Sequence, residues 1–133
     1  MTAAALTITP LFAAILGILY LALAVHVIRG RYQHRLSLGD GGNESFARRI
    51  RAHGNFAEYV PLSLLLMAFA ELGGSSGVVI YGIGAALVTG RMLHAYALAL
   101  TDSNMIARRY GMILTFASIV AGIGACLRVS LFS

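Results

Sequence analysis

The stretch Arg48-Arg49-Ile50-Arg51-Ala52-His53-Gly54-Asn55-Phe56-Ala57-Glu58 runs without a turn signal into Tyr59-Val60-Pro61-Leu62-Ser63-Leu64-Leu65-Leu66-Met67-Ala68-Phe69-Ala70. One helix therefore has to carry a polar half and an apolar half. Residues three or four apart share a helix face, and Arg48, Arg51, Asn55 and Glu58 follow one another at steps of three, four and three. They form a single polar ridge. Only twelve uncharged residues lie between Glu58 and Glu71, and at ~1.5 Å of rise each they fall well short of the ~30 Å hydrocarbon core of a bilayer. If this helix spans a membrane, part of the ridge is drawn in with it and Glu58 turns toward protein. An ionisable group at that depth needs a partner and points to function. The competing reading of Glu58 is a structural ion pair that keeps helices in register.

Composition decides for the membrane. The 133-residue chain is 59% hydrophobic with a mean hydropathy of +0.81, above the apolar share of about half that soluble domains carry. The expectation is one all-α domain over residues 1–133, an integral membrane four-helix bundle. Met1-Thr2-Ala3-Ala4 lacks the basic residues of a secretory signal, and the apolar run that follows is longer than a signal core, so the first segment is expected to remain in place. The net charge of +5 comes from ten arginines, with no lysine, against five acids. Arginine holds carboxylates in fixed bidentate geometry, which hints at a small anionic ligand. A nucleic-acid role is disfavoured because six of the ten arginines crowd one short region and the rest abut membrane spans. The lone Cys126, among small residues, reads as a packing residue.

The first span is expected over about 11–28, uncharged and ending at Arg29-Gly30-Arg31. Leu38-Gly39-Asp40-Gly41-Gly42-Asn43 supplies glycines for positive φ angles and an asparagine to cap the next helix. That helix is placed at about 44–72, with Pro61 freeing the carbonyl of Ala57 and favouring a bend beside Asn55 and Glu58. After the turn Gly73-Gly74-Ser75-Ser76-Gly77, a third helix is expected over about 78–100, carrying Arg91 and His94 late. Arg91 is the natural ion-pair partner of Glu58. The fourth helix is expected over about 112–132, where Ala117, Ser118, Ala121, Gly122 and Ala125 allow close approach. Eight arginines flank the segments 29–43 and 101–111, while the other side has only Arg128; the positive-inside rule makes those segments cytoplasmic and puts both termini outside. The ridge, Arg91, His94 and Arg108 then converge on the cytoplasmic end.

An arginine-lined pocket at that level, with Glu58 to hold an ammonium and Asn55 to donate and accept, suits a zwitterion bearing carboxylates, and its lipid side suits a hydrophobic second substrate. If the ligand is a thiol, a nearby guanidinium favours the reactive thiolate. A metal site built from His53 and His94 is disfavoured, since the remaining carboxylates have arginine partners.

Arg51-Ala52-His53-Gly54-Asn55-Phe56-Ala57-Glu58-Tyr59-Val60-Pro61 resembles the R-A-x-x-N-x-x-E-Y-x-P signature of the MAPEG proteins (membrane-associated proteins in eicosanoid and glutathione metabolism), which include microsomal glutathione transferases and prostaglandin E synthase. The likeness extends over essentially the whole chain, and the 38–43 loop is similar to that of bacterial members. The resemblance implies a homotrimer with glutathione, as co-substrate, bound between subunits at the cytoplasmic side. By position it implies glutathione contacts from Arg31, Arg51, Asn55, Glu58, Tyr59 and His94, and a thiolate-stabilising catalytic role for Arg108. Arg29 and Arg35 lie near enough to Arg31 to leave that register open. The implied activity is a membrane-bound glutathione transferase or peroxidase acting on hydrophobic electrophiles in a bacterial inner membrane. Two departures stand out: Leu98 occupies the place of a glutathione-contacting tyrosine, with Tyr96 on another face and Tyr110 a possible substitute, and Gly54 replaces an arginine of the prostaglandin branch. They support an alternative, a non-enzymatic membrane module that binds an anionic metabolite or a partner subunit.

Overall fold

The computed structural model describes residues 5–102 and 104–132; Met1 to Ala4, Ser103 and Ser133, with what the sequence suggests for them, lie outside the described residues. Helix α1 runs Thr9–His34, α2 Glu44–Leu72, α3 Gly77–Ala95 continued by a π-helical turn Tyr96–Leu100, and α4 Met105–Phe132. All four are long and apolar enough to cross a membrane. Much of their apolar surface faces outward, with Ile18 at 72% and Val78 at 84% exposure. Leaving such side chains in water would forfeit ~1.5–3 kcal/mol each, so lipid is the environment that makes this surface stable.

Two helix ends differ from the sequence expectation, for the same reason. Arginine is a good helix former, and charge alone does not stop a helix. Helix α1 passes through Arg29 and Arg31 and stops only where Arg35 turns left-handed at φ 53°, which lets the Leu36 amide donate back to the Arg31 carbonyl at 3.0 Å. Helix α4 starts at Met105, ahead of the expected 112. Asn104 caps it, its side-chain oxygen accepting from the Ala107 amide at 3.1 Å, so Arg108 and Arg109 ride on the helix. The expected asparagine cap of α2 is present, Asn43 Oδ1 accepting from the Phe46 amide at 2.9 Å.

The core has two storeys. Toward the arginine-rich end, Leu16 and Leu23 of α1 meet Ala52, Phe56 and Val60 of α2 and Leu87, Ala95 and Leu98 of α3 and its π turn. Toward the other end, Phe12 packs with Met67, Ala70, Ile80 and Ile83. Helices α3 and α4 come closest. A Cβ on Gly90 would sit 2.8 Å from the Gly111 carbonyl oxygen, and one on Gly111 would sit 2.8 Å from both the Gly90 oxygen and the His94 amide nitrogen. The buried seam of α4 is Gly111, Thr115, Ser118 and Gly122, with Ser118 Oγ donating to the Ile83 carbonyl at 3.0 Å. Ala117 and Ala121 of the expected small-residue ridge face outward.

At the end away from the arginines, the Glu71 carboxylate grips the start of α1. One oxygen accepts from the Thr7 and Ile8 amides at 2.8 and 2.7 Å, and the other from the Thr9 amide at 2.7 Å. Helix N-termini leave such donors unsatisfied, and here a side chain from another helix satisfies them.

Candidate functional site

The polar ridge of α2 divides among three partners. Arg48 reaches across to Asp102 beyond the π turn, at 3.1 Å. Arg51 and Glu58, two turns apart on one face, form a two-pronged ion pair with N···O distances of 3.0 and 3.2 Å. Asn55, between them in sequence but turned inward and buried, accepts from Arg91 Nη1 at 2.8 Å through its side-chain oxygen. The expected Glu58–Arg91 pair is therefore corrected. The helix face that carries Glu58 already supplies Arg51, and the neighbour that α2 offers to Arg91 is a neutral amide.

Arg91 is only 1% exposed. Its other contacts are also uncharged: the Tyr59 ring, 5.9 Å from the guanidinium carbon, and Met112 Sδ at 3.8 Å. Its Nε finds no hydrogen-bond partner among the described residues. A buried cation that, among the described residues, is held by an amide, a ring face and a thioether keeps its field uncancelled. His94, one turn later and likewise buried, lies within electrostatic range of Arg91, Arg108 and Arg51. Arg108 is half-buried, and its side chain makes no hydrogen bond or ion pair among the described residues. The Gly90–Gly111 contact is what brings it there, since Arg108 stands one turn before Gly111 on the helix pressed against His94.

Six of the sequence-derived candidates are thus gathered at one end of α2, α3 and α4: Arg51, Asn55, Glu58, Tyr59, His94 and Arg108. Tyr59 joins α2 to α4 by an edge contact with Phe116, ring centroids 5.6 Å apart. Arg31 is not among them. It lies on the α1 side of α2, over the Phe46 ring at 5.6 Å, and donates to the Gly39 carbonyl at 3.2 Å; among the described residues no hydrogen bond or ion pair links it to the other six. His53 stacks on Tyr20 at 5.1 Å on that same α1 side. Leu98 is buried in the core, while Tyr96 and Tyr110 face outward. Sequence reasoning missed the Asn55–Arg91 bond and Met112. The signal for the first was available, because a hairpin of α2 and α3 places Asn55 and Arg91 at similar depth.

Residues 9–128 of the chain match the model of the MAPEG family. The chain is also similar to the "Inner membrane protein YecN" of two strains of Escherichia coli, at 35% identity over 89 residues, which cover 67% of this chain and 68% of the relative in each case. The match takes in all six clustered residues together with most of the four spans, and the chain belongs to the MAPEG family.

Proposed function

We propose that the chain is a membrane-bound glutathione transferase, with related peroxidase action, working on hydrophobic electrophiles that arrive through the bilayer. The observation that carries this reading is the uncompensated positive charge around His94: Arg91 buried without a carboxylate, and Arg108 half-buried without an ion pair among the described residues. Such a place favours an anion. Glutathione offers two carboxylates, an ammonium and a thiol that is reactive as its anion.

The chain's groups fit those parts. Asn55 commits its oxygen to Arg91, which leaves its amide hydrogens for a ligand acceptor. The Arg51–Glu58 pair, half exposed, can separate to give a guanidinium to a carboxylate and a carboxylate to the ammonium. Tyr59 and His94 flank the site, and Arg108 stabilises the thiolate. The thiolate attacks an electrophilic carbon, a C–S bond forms, and the leaving group takes the displaced electron pair. With a hydroperoxide it cleaves the O–O bond, releasing an alcohol, and a second thiol reduces the sulfenic acid to a disulfide and water. Because Arg31 stands apart within one chain, the reading takes it from a neighbouring copy of a homotrimer. The arginine-rich end faces the cytoplasm of a bacterial inner membrane.

The test is calorimetric titration with glutathione, followed by an assay with a general aromatic electrophile. Binding in the millimolar range or tighter, and turnover that Arg108→Ala lowers at least ~100-fold, are the expected results; this is the scale of losing one preorganised charge contact to a developing anion. A free thiol has a pKa of ~8.5, so the uncatalysed rate rises about tenfold per pH unit below that value. The parent enzyme should be flat from about pH 7 to 8, because its thiol is already ionised, and Arg108→Ala should regain the slope. Equal rates with and without protein would sink the proposal.

One observation favours a second reading, a binding module without turnover. Leu98 is buried in the core, so the place that would lend a hydroxyl to the ligand lends nothing. Heat on glutathione titration with no acceleration of any electrophile would select it.

A further inference from the structure

The turn out of α1 puts one residue, Arg35, in a backbone shape that its type should avoid. Among described residues Arg35 is the only one besides glycine with a left-handed backbone; the other such angles belong to Gly39, Gly41, Gly42 and Gly74. Left-handed helix caps favour glycine because a Cβ crowds the carbonyl that follows. An arginine placed against that preference suggests that its side chain is used.

Its surroundings indicate the use. A groove of about 440 Å³ opens at the end of α1, lined by Ile28, Arg31, Tyr32, Arg35, Leu36 and Ser37. That volume lies in the ~300–1,000 Å³ range of small-ligand sites. Two guanidinium groups flank the groove, and among the described residues neither has a carboxylate partner. Depth fixes what reaches them. The uncharged run Thr9 to Ile28 is twenty residues, about 30 Å of helix, which matches the hydrocarbon core and puts the next turns at headgroup level. Tyr32, at 81% exposure, and Leu38, at 83%, stand at that level, where amphipathic aromatic residues settle.

We propose that this groove holds the phosphate-bearing headgroup of an anionic phospholipid. Arg35 meets the phosphate, Ser37 offers a hydroxyl donor, and Ile28, Tyr32 and Leu36 line the side that takes the glycerol and the upper acyl chain. A soluble phosphate ester would bring the same charge but leave the apolar wall uncovered. Arg31, on the wall of the groove, is left to the glutathione reading, and the inference rests on Arg35, the residue tested, which that reading does not use.

Purified protein in a neutral detergent is titrated with short-chain phosphatidylglycerol, with phosphatidylcholine of equal chain length, and with glycerol phosphate, while Tm is followed. Phosphatidylglycerol alone should raise Tm saturably. Arg35→Gly relieves the left-handed strain, so without lipid it should unfold no earlier than the parent. Its half-saturating lipid concentration should rise about fivefold, the effect of losing one basic contact at a membrane surface. Arg35→Asn, which also tolerates the left-handed backbone, should behave alike. An equal response to phosphatidylcholine overturns recognition of the charge, and an equal response to glycerol phosphate overturns the lipid source. Unchanged titration curves in both variants overturn the location.

Discussion

Arg91 and Asn55 show how much can rest on one side-chain contact inside a membrane bundle. The guanidinium has been taken out of water without an anion to meet it among the described residues. Removing the Asn55 oxygen in Asn55→Ala should therefore cost about 1.5–3 kcal/mol, the range for hydrogen bonds to charged groups. Asn55→Asp keeps an acceptor and adds the missing charge, and should retain most of the stability in a thermal unfolding measurement. Arg108→Ala should shift Tm little, since Arg108 has no ion pair among the described residues to lose. A large loss of stability in that variant would mean the side chain is structural. The sequence made the identities of these residues legible, because charges amid apolar runs are conspicuous. It did not disclose their partners. Glu58 and Arg91 look matched by charge, yet which faces of α2 and α3 meet depends on packing angles that no single residue type encodes.

At the scale of elements, α3 and α4 are positioned by two glycines. Gly90 and Gly111 allow backbone to lie on backbone, and a methyl group at Gly111 would sit 2.8 Å from two backbone atoms that cannot move aside. Gly111→Ala should force the helices apart, destabilise the fold by about 1–3 kcal/mol as overpacking does, and carry Arg108 away from His94. Activity should fall further than stability. Gly82→Ala is the control: a Cβ there meets nothing within 4 Å, and near-unchanged unfolding is the expected outcome. The spans themselves were legible from length and hydropathy, and α2 from its asparagine cap. The end of α1 and the start of α4 were not, because arginines read as loop when hydropathy is the guide, while helix caps are set by Arg35 and Asn104. The close-packing seam was legible in part: Ser118 and Gly122 turn inward as expected, joined by Gly111 and Thr115, while Ala117 and Ala121, small as well, face outward.

For the whole molecule, the half-exposed Arg51–Glu58 pair is the unfinished edge. Both side chains are about half accessible, at 53% and 52%, at a depth where the apolar remainder of α2 is too short to span alone. Lipid tails are a costly neighbour for such a pair. A second copy covering it is the reading that the proposed homotrimer supplies. Mass measurement in mild detergent should give three chains, and Glu58→Leu should weaken association and glutathione binding together. For orientation, a cysteine placed at Ser37 in a Cys126→Ser background should react with an impermeant maleimide only after cells are opened. Labelling of intact cells would invert the topology and place the arginine-rich end outside.

The grip of Glu71 on α1 has a consequence for how the chain is built. The Ile8 amide waits for a carboxylate synthesised 63 residues later, so α1 emerges with bare donors that only the far end of α2 can satisfy. The first two helices should then mature as a pair, their hairpin closing before the second pair docks. Glu71→Ala would leave the start of α1 frayed, visible as fast hydrogen exchange at Thr7 to Thr9, while the arginine cluster at the opposite end keeps its protection.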